Sequence, residues 1–182
     1  MVSLPNFISI ARLLCVPVLV WLIVTDQMRV AFWLFVAAGL SDAVDGYIAK
    51  KFNASTELGR YIDPLADKAL LVSVFVALGL RGAIPDWLVI LVVFRDLLII
   101  GGALLFHTLT DRTMRMDPIL ISKVNTLLQI LLVGVVLAYL GLEFDDYGAA
   151  VLLIYATAVT TVLSGGAYLV RWIRGAAEAE KA

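Results

Sequence analysis

The chain has 182 residues, 62% of them hydrophobic and 16% charged, with a formal net charge of −1. A soluble domain of this length is nearer half apolar and a quarter charged, so the composition excludes an ordinary water-soluble fold. It points instead to a polytopic membrane protein of one compact domain, residues 1–182, with no room for a second.

Apolar runs of about 20 residues cross a hydrocarbon core of about 30 Å, and six occur in chain order, at 4–25, 29–50, 60–81, 85–107, 118–141 and 147–171. The sequence therefore predicts an all-α protein with six transmembrane helices. In the first run no lysine or arginine precedes Arg12, no A-x-A-like site follows, and Leu14 rather than a small residue precedes Cys15. The run is expected to be a retained span rather than a cleaved signal. Cys15 is the only cysteine, which excludes an intrachain disulfide and predicts a buried thiol. The second run carries Asp42 and Asp45, and the third carries Asp63 and Asp67. The fourth holds Arg95-Asp96 and ends at His107, the only histidine, which is expected to pack at the interface. The fifth begins near Lys123, and the sixth is followed by a short polar tail with Glu178 and Glu180. Trp21, Trp33, Trp87 and Trp172 fall near run ends, as aromatic-belt anchors do.

Basic residues set the orientation. One set of connections carries Lys50, Lys51, Arg60, Arg112, Arg115, Arg171, Arg174 and Lys181; the other carries Arg29 and Arg81 and closes on Glu143, Asp145 and Asp146. Both termini are predicted to be cytoplasmic, with Arg112 and Arg115 at lipid headgroups. No Arg- and Ser-rich presequence is present, which favours a bacterial plasma membrane.

Carboxylates are costly near hydrocarbon and usually persist there for function. On a helix, Asp42, Asp45, Gly46 and Ala49 stand at steps 0, 3, 4 and 7, one face; Gly59, Asp63 and Asp67 repeat at intervals of four. Two helices meeting on these faces would pool four oxygen-rich side chains, suited to hard divalent cations such as magnesium. The structural alternative is a set of salt bridges. It fits poorly, because the nearby bases are few and off this face: Lys68 is about 140° around the helix from Asp63. A transporter also places aspartates in spans, but it needs no glycines in register with them and usually shows paired repeats, which are not found. A membrane scaffold has little use for four clustered acids.

Asp42-x-x-Asp45-Gly46-x-x-Ala49-Lys50 followed by Gly59-x-x-x-Asp63-x-x-x-Asp67 resembles the signature of the CDP-alcohol phosphotransferases, with Lys50 in place of the usual arginine. That change keeps the charge and loses a bidentate contact to phosphate. The resemblance implies the CDP-alcohol phosphotransferase fold, a homodimer, and an active site at the cytoplasmic face. It also implies two divalent cations, Mg2+ or Mn2+, held by Asp42, Asp45, Asp63 and Asp67, with Asp67 as the general base. Gly46, Ala49, Lys50 and Gly59 would contact the CDP-lipid, the small residues leaving room for the nucleotide. The implied donor is CDP-diacylglycerol, among membrane lipids, and nucleic acid is not an expected partner.

Other segments bear on the acceptor. Leu4-Pro5-Asn6 through Arg12 looks like the opening shared by phosphatidylglycerophosphate synthases and eukaryotic-type cardiolipin synthases. Arg95-Asp96 and Ile121-Ser122-Lys123-Val124-Asn125-Thr126 with Gln129 look like cardiolipin synthase segments. The reading leans to phosphatidylglycerol as acceptor, giving cardiolipin and CMP. The alternative is glycerol 3-phosphate, giving phosphatidylglycerophosphate. Either brings a phosphate, and Arg12, Arg95 and Lys123, cations on three different spans, are candidates to bind it. The competing reading pairs Arg95 with Asp96 and lets Arg12 snorkel.

Overall fold

The computed structural model describes the backbone of residues 4–52, 57–110, 119–143, 145 and 148–179, and the side chains of 11–41, 68–102, 119–143, 145 and 148–174. Six α-helices follow one another: α1 Leu4–Val24, α2 Met28–Phe52, α3 Glu57–Leu80, α4 Asp86–Thr110, α5 Leu120–Leu142 and α6 Ala149–Ala179. No strand occurs among the described residues. The helix bounds agree with the apolar runs within three residues except at the C-terminus of α6. There the helix continues through Glu178, where a polar tail was expected. Ala176, Ala177 and Ala179 are strong helix formers, and helix propensity does not require an apolar run.

The chain divides into two compact units, 1–84 with 133–149, and 85–132 with 150–182. In the first, α1 packs against both α2 and α3. Its core holds Leu19, Ile23, Ala31, Phe35, Val74, Phe75, Leu78, Val133 and Leu137. Cys15 is half-buried rather than fully enclosed.

Two helix ends in this unit are closed by the same device. After α1, the Gln27 N–H donates to the Leu22 carbonyl at 2.8 Å and the Asp26 N–H to the Ile23 carbonyl at 3.2 Å. After α3, the Ala83 N–H donates to Leu78 at 2.9 Å and the Gly82 N–H to Gly79 at 2.7 Å. Both are Schellman caps, with the residue after the helix in the left-handed region: Asp26 at φ 65 and Gly82 at φ 69. Arg81 joins them. Its Nη1 donates to the Val24 carbonyl at 3.1 Å, and its Nη2 pairs with the Asp26 carboxylate. The C-terminus of α3 therefore lies beside the turn that starts α2. Four residues, 53–56, connect α2 back to α3, so the two helices run antiparallel.

Gly141, near the end of α5, sits against the start of α2. A Cβ added there would stand 2.7 Å from the Met28 carbonyl carbon and oxygen and from the Arg29 nitrogen. Backbone cannot retreat as a side-chain tip can, so only glycine fits this approach.

Among the described residues two stretches, Leu120–Leu142 and Ala149–Arg174, are long and apolar enough to cross a membrane. Their outer faces expose Leu120, Leu127, Ile130, Leu131, Val151, Leu152, Tyr155, Val159, Val162 and Leu163. So continuous an apolar surface is unusual on a soluble monomer and fits insertion in lipid.

The Gly141 contact sets a test of packing. Gly141→Val should lower stability by about 1–3 kcal/mol through overpacking, read as a lower midpoint of thermal unfolding in detergent. Gly134→Val, where an added Cβ meets nothing within 4 Å, should leave the midpoint near wild type. Equal midpoints for both variants would show that α2 and α5 are not held at this distance.

Candidate active site

The helix bounds fix where the four aspartates stand along the chain. Asp42 and Asp45 lie in the last three turns of α2, and Asp63 and Asp67 in the first three turns of α3. Their side chains lie outside the described residues, as do those of Gly46, Ala49, Lys50, Gly59, His107, Arg112 and Arg115. The levels can still be counted. From Phe52 and Glu57, at 1.5 Å per residue, Asp42 and Asp67 each stand about 15 Å in, while Asp45 and Asp63 stand about 10 Å and about 9 Å in. The last turns of α2 and the first turns of α3, which carry the four aspartates in sequence, lie at the end of the unit away from the Arg81 tie. As hard oxygen donors at helical spacing, the carboxylates are a donor set that fits a divalent cation such as magnesium or manganese.

The candidate cations separate by environment. Arg12, on α1 in the first unit, is buried. Lys123, on the first turn of α5 in the second unit, is exposed. Arg95, on α4, is only 3% exposed and sits in a polar cluster within the second unit. Its Nη1 donates to Asp96 Oδ1 at 2.6 Å, and its Nε donates to Ser164 Oγ at 3.2 Å. Its Nη2 reaches Ser122 Oγ at 2.5 Å and also Ser164 Oγ. Of the two roles weighed for Arg95, the geometry supplies the pairing with Asp96. One guanidinium ties α4 to both α5 and α6 and holds Ser122, the residue next to Lys123.

A stripe of hydroxyls on α6 went unrecognised in the sequence. Thr157, Thr161 and Ser164 recur at steps 0, 4 and 7, one helical face, and all are buried. Asn125 Oδ1 accepts from Thr160 Oγ1 and Thr161 Oγ1, both at 2.8 Å. Asn125 Nδ2, Gln129 Nε2 and Thr157 Oγ1 are buried with no hydrogen-bond partner among the described residues. The spacing was the available signal, but threonine and serine alone do not disrupt an apolar run, so they read as part of the span.

Trp172 is not a simple interface anchor. Its ring lies so close to Gly102 that an added Cβ would stand 1.9 Å from the indole Cη2, and the Tyr168 ring is 6.4 Å away. Trp87, by contrast, is exposed and pairs loosely with Tyr155 at 6.4 Å.

The family model for CDP-alcohol phosphatidyltransferase matches residues 2–163, a span that includes all four aspartates. The chain belongs to that family. The cardiolipin synthase (CMP-forming) of Rattus norvegicus is 35% identical, over 91% of this chain and 60% of its own length. The chloroplastic CDP-diacylglycerol–glycerol-3-phosphate 3-phosphatidyltransferase 1 of Oryza sativa subsp. japonica is 34% identical, over 93% of this chain and 57% of its own. A cardiolipin synthase/mitochondrial hydrolase fusion protein of Schizosaccharomyces pombe is 34% identical, over 92% of this chain and 31% of its own. The chain thus spans between 31% and 60% of the length of these curated relatives.

The Arg95 cluster makes a stability prediction. Asp96→Ala leaves a buried cation short of its counter-charge and should cost about 3–5 kcal/mol. Replacing both partners, Arg95→Met with Asp96→Leu, should recover much of that loss, because no charge is then stranded. Unfolding midpoints that place the double variant below Asp96→Ala would show that Arg95 does more than neutralise Asp96.

Proposed function

We propose that this chain transfers a phosphatidyl group from CDP-diacylglycerol to phosphatidylglycerol, forming cardiolipin and releasing CMP. The observation that supports the proposal is that the four aspartates, at spacings of three and four, fall in the last turns of α2 and the first turns of α3, within the residues that the family model matches. Residues 1–182 act in this reading as one transferase domain of six spans in a bacterial plasma membrane. Both termini and the aspartate end face the cytoplasm, as the distribution of basic residues favours. The functional unit is a homodimer, by resemblance to the family.

The chemistry follows from charge. The acceptor hydroxyl gives its proton to the Asp67 carboxylate, and its oxygen attacks the phosphorus that carries the diacylglycerol. The bond to the bridging oxygen breaks, and CMP leaves with that electron pair. Asp42, Asp45, Asp63 and Asp67 would hold two divalent cations, which when bound offset the negative charge that builds on the diphosphate. Gly46, Ala49 and Gly59 leave space beside the helix for the cytidine and ribose, and Lys50 meets the diphosphate as a point charge.

For the acceptor phosphate, Lys123 is the exposed one of the three candidate cations. Arg95, through its bond to Ser122, positions the segment that carries it. Arg12 enters this reading as a cation on a span and through the sequence resemblance. Glycerol 3-phosphate is the second acceptor, favoured by the rice relative, whose identity equals that of the fission yeast cardiolipin synthase fusion.

Two measurements test the reading. The purified protein, given CDP-diacylglycerol and a divalent cation, should yield cardiolipin with phosphatidylglycerol when lipid products are weighed by mass spectrometry. Phosphatidylglycerophosphate from glycerol 3-phosphate, with no cardiolipin, would move the assignment to the second acceptor. Asp67→Asn should reduce turnover by about two to four orders of magnitude while binding of CDP-diacylglycerol suffers less. Turnover near wild type would remove Asp67 as the base.

A further inference from the structure

Polar residues of α5 and α6 face one another at successive levels of the second unit. Ser122 lies opposite Ser164, and Arg95 Nη2 donates to both hydroxyls. Asn125 lies opposite Thr161, whose hydroxyl donates to Asn125 Oδ1 at 2.8 Å. A step of three residues along α5 is thus matched by a step of three back along α6, so the two helices run antiparallel. One turn further, the same register brings Gln129 opposite Thr157. The first two levels are closed by protein groups; the third is not. Gln129 Nε2 and Thr157 Oγ1 are buried with no hydrogen-bond partner among the described residues, and so is Asn125 Nδ2, one turn away. We propose that Asn125, Gln129 and Thr157 bind one internal water molecule, which accepts from both carboxamide N–H groups and donates to the threonine hydroxyl.

Burial, spacing and donor chemistry each support that occupant. Asn125 and Thr157 are fully enclosed and Gln129 is 2% exposed, so neither bulk solvent nor a lipid headgroup reaches these atoms. Buried polar groups are nearly always satisfied, by protein or by ordered water. Asn125 Oδ1 already accepts from the hydroxyls of Thr160 and Thr161. These fill its two lone pairs and leave the Nδ2 end of the amide to another acceptor. Asn125 and Gln129 are one turn apart, about 6 Å of rise. An oxygen midway between donors at that spacing stands about 3 Å from each, the length of an ordinary N–H···O bond. Thr157 supplies the third bond, and about three is the usual number for a buried water. A direct bond from Gln129 to Thr157 would strand Asn125 Nδ2, whereas one water serves all three groups. Two N–H donors and a hydroxyl could also surround a halide. Arg95, the buried cation of this unit, is already paired with Asp96, so an anion here would lack a counter-charge. The proposal assigns Asn125 and Gln129 to the pairing of α5 with α6, whichever acceptor the enzyme uses.

A crystal structure of the full chain in lipid, at a resolution that shows ordered water, tests the site directly. One peak is expected about 2.7–3.2 Å from Asn125 Nδ2, Gln129 Nε2 and Thr157 Oγ1, with no anomalous signal when bromide replaces chloride. Gln129 bonded directly to Thr157 with no peak between the helices would overturn the proposal. An anomalous peak would overturn it too, by giving the site to an anion. Unfolding midpoints in detergent provide a second readout. Thr157→Val keeps the shape and removes the hydroxyl, so it should lower the midpoint by about 2–4 °C, the loss of about one hydrogen bond. Thr157→Ser should restore most of that. Gln129→Met should cost a similar amount, and the double variant Gln129→Met with Thr157→Val should cost less than the two together, because both act through the same water. A midpoint unchanged by Thr157→Val, or effects that simply add, would overturn the proposal.

Discussion

A charge or an amide on an apolar helix has to be settled by other protein groups, because hydrocarbon offers none. That constraint organises the second unit. Arg95 and Asp96 are adjacent on α4 and nearly solvent-free, and the guanidinium completes its contacts with a serine from α5 and another from α6. One residue thereby gives three helices a common reference point. Asn125 repeats the arrangement between α5 and α6 through two threonine hydroxyls. Dispersion between apolar faces is tolerant of sliding and rotation, whereas a buried hydrogen bond at 2.8 Å is not. The polar seam therefore specifies register in helices whose outer surfaces are almost uniformly apolar.

The first unit reaches definite geometry by other means. Its helices are closed by backbone caps, and Arg81 fastens the ends of α1 and α3 together at the start of α2. The pair Arg81–Asp26 is largely exposed, and such a pair contributes about 0–1 kcal/mol. Its importance is directional. By placing the end of α3 beside the start of α2, it sends the acidic halves of both helices to the opposite end of the unit. Gly141 adds a close approach between α5 and the start of α2, so the same turn is braced from two sides.

The apolar outer faces of α5 and α6 fit lipid surroundings. A helix such as α6 meets acyl chains along its length and headgroups at its end. A stripe of α6 that opens a groove between Leu163 and Val170 ends on Arg171 and Arg174, which also supply part of the charge asymmetry used to orient the chain.

By itself the sequence determined the all-helical class, the six helices found among the described residues and the identity of the acidic motif. These properties are local: hydropathy follows from composition over about 20 residues, and a carboxylate spacing of three or four defines a face wherever a helix forms. The family followed from the motif for the same reason. What the sequence left open was decided by contacts between residues far apart in the chain. Whether Arg95 meets Asp96 or a ligand depends on Ser122 and Ser164, and no run of sequence places these beside α4. The indole of Trp172 reads as an interface anchor until Gly102 is found against it. Glu178 reads as a tail until helix propensity carries α6 past the last apolar run. The place of the end of α3 beside the start of α2 needed Arg81, whose partners Val24 and Asp26 lie more than fifty residues away in the chain. Hydropathy and spacing act within one helix, whereas partners for buried polar groups come from another, so only the tertiary structure could assign them.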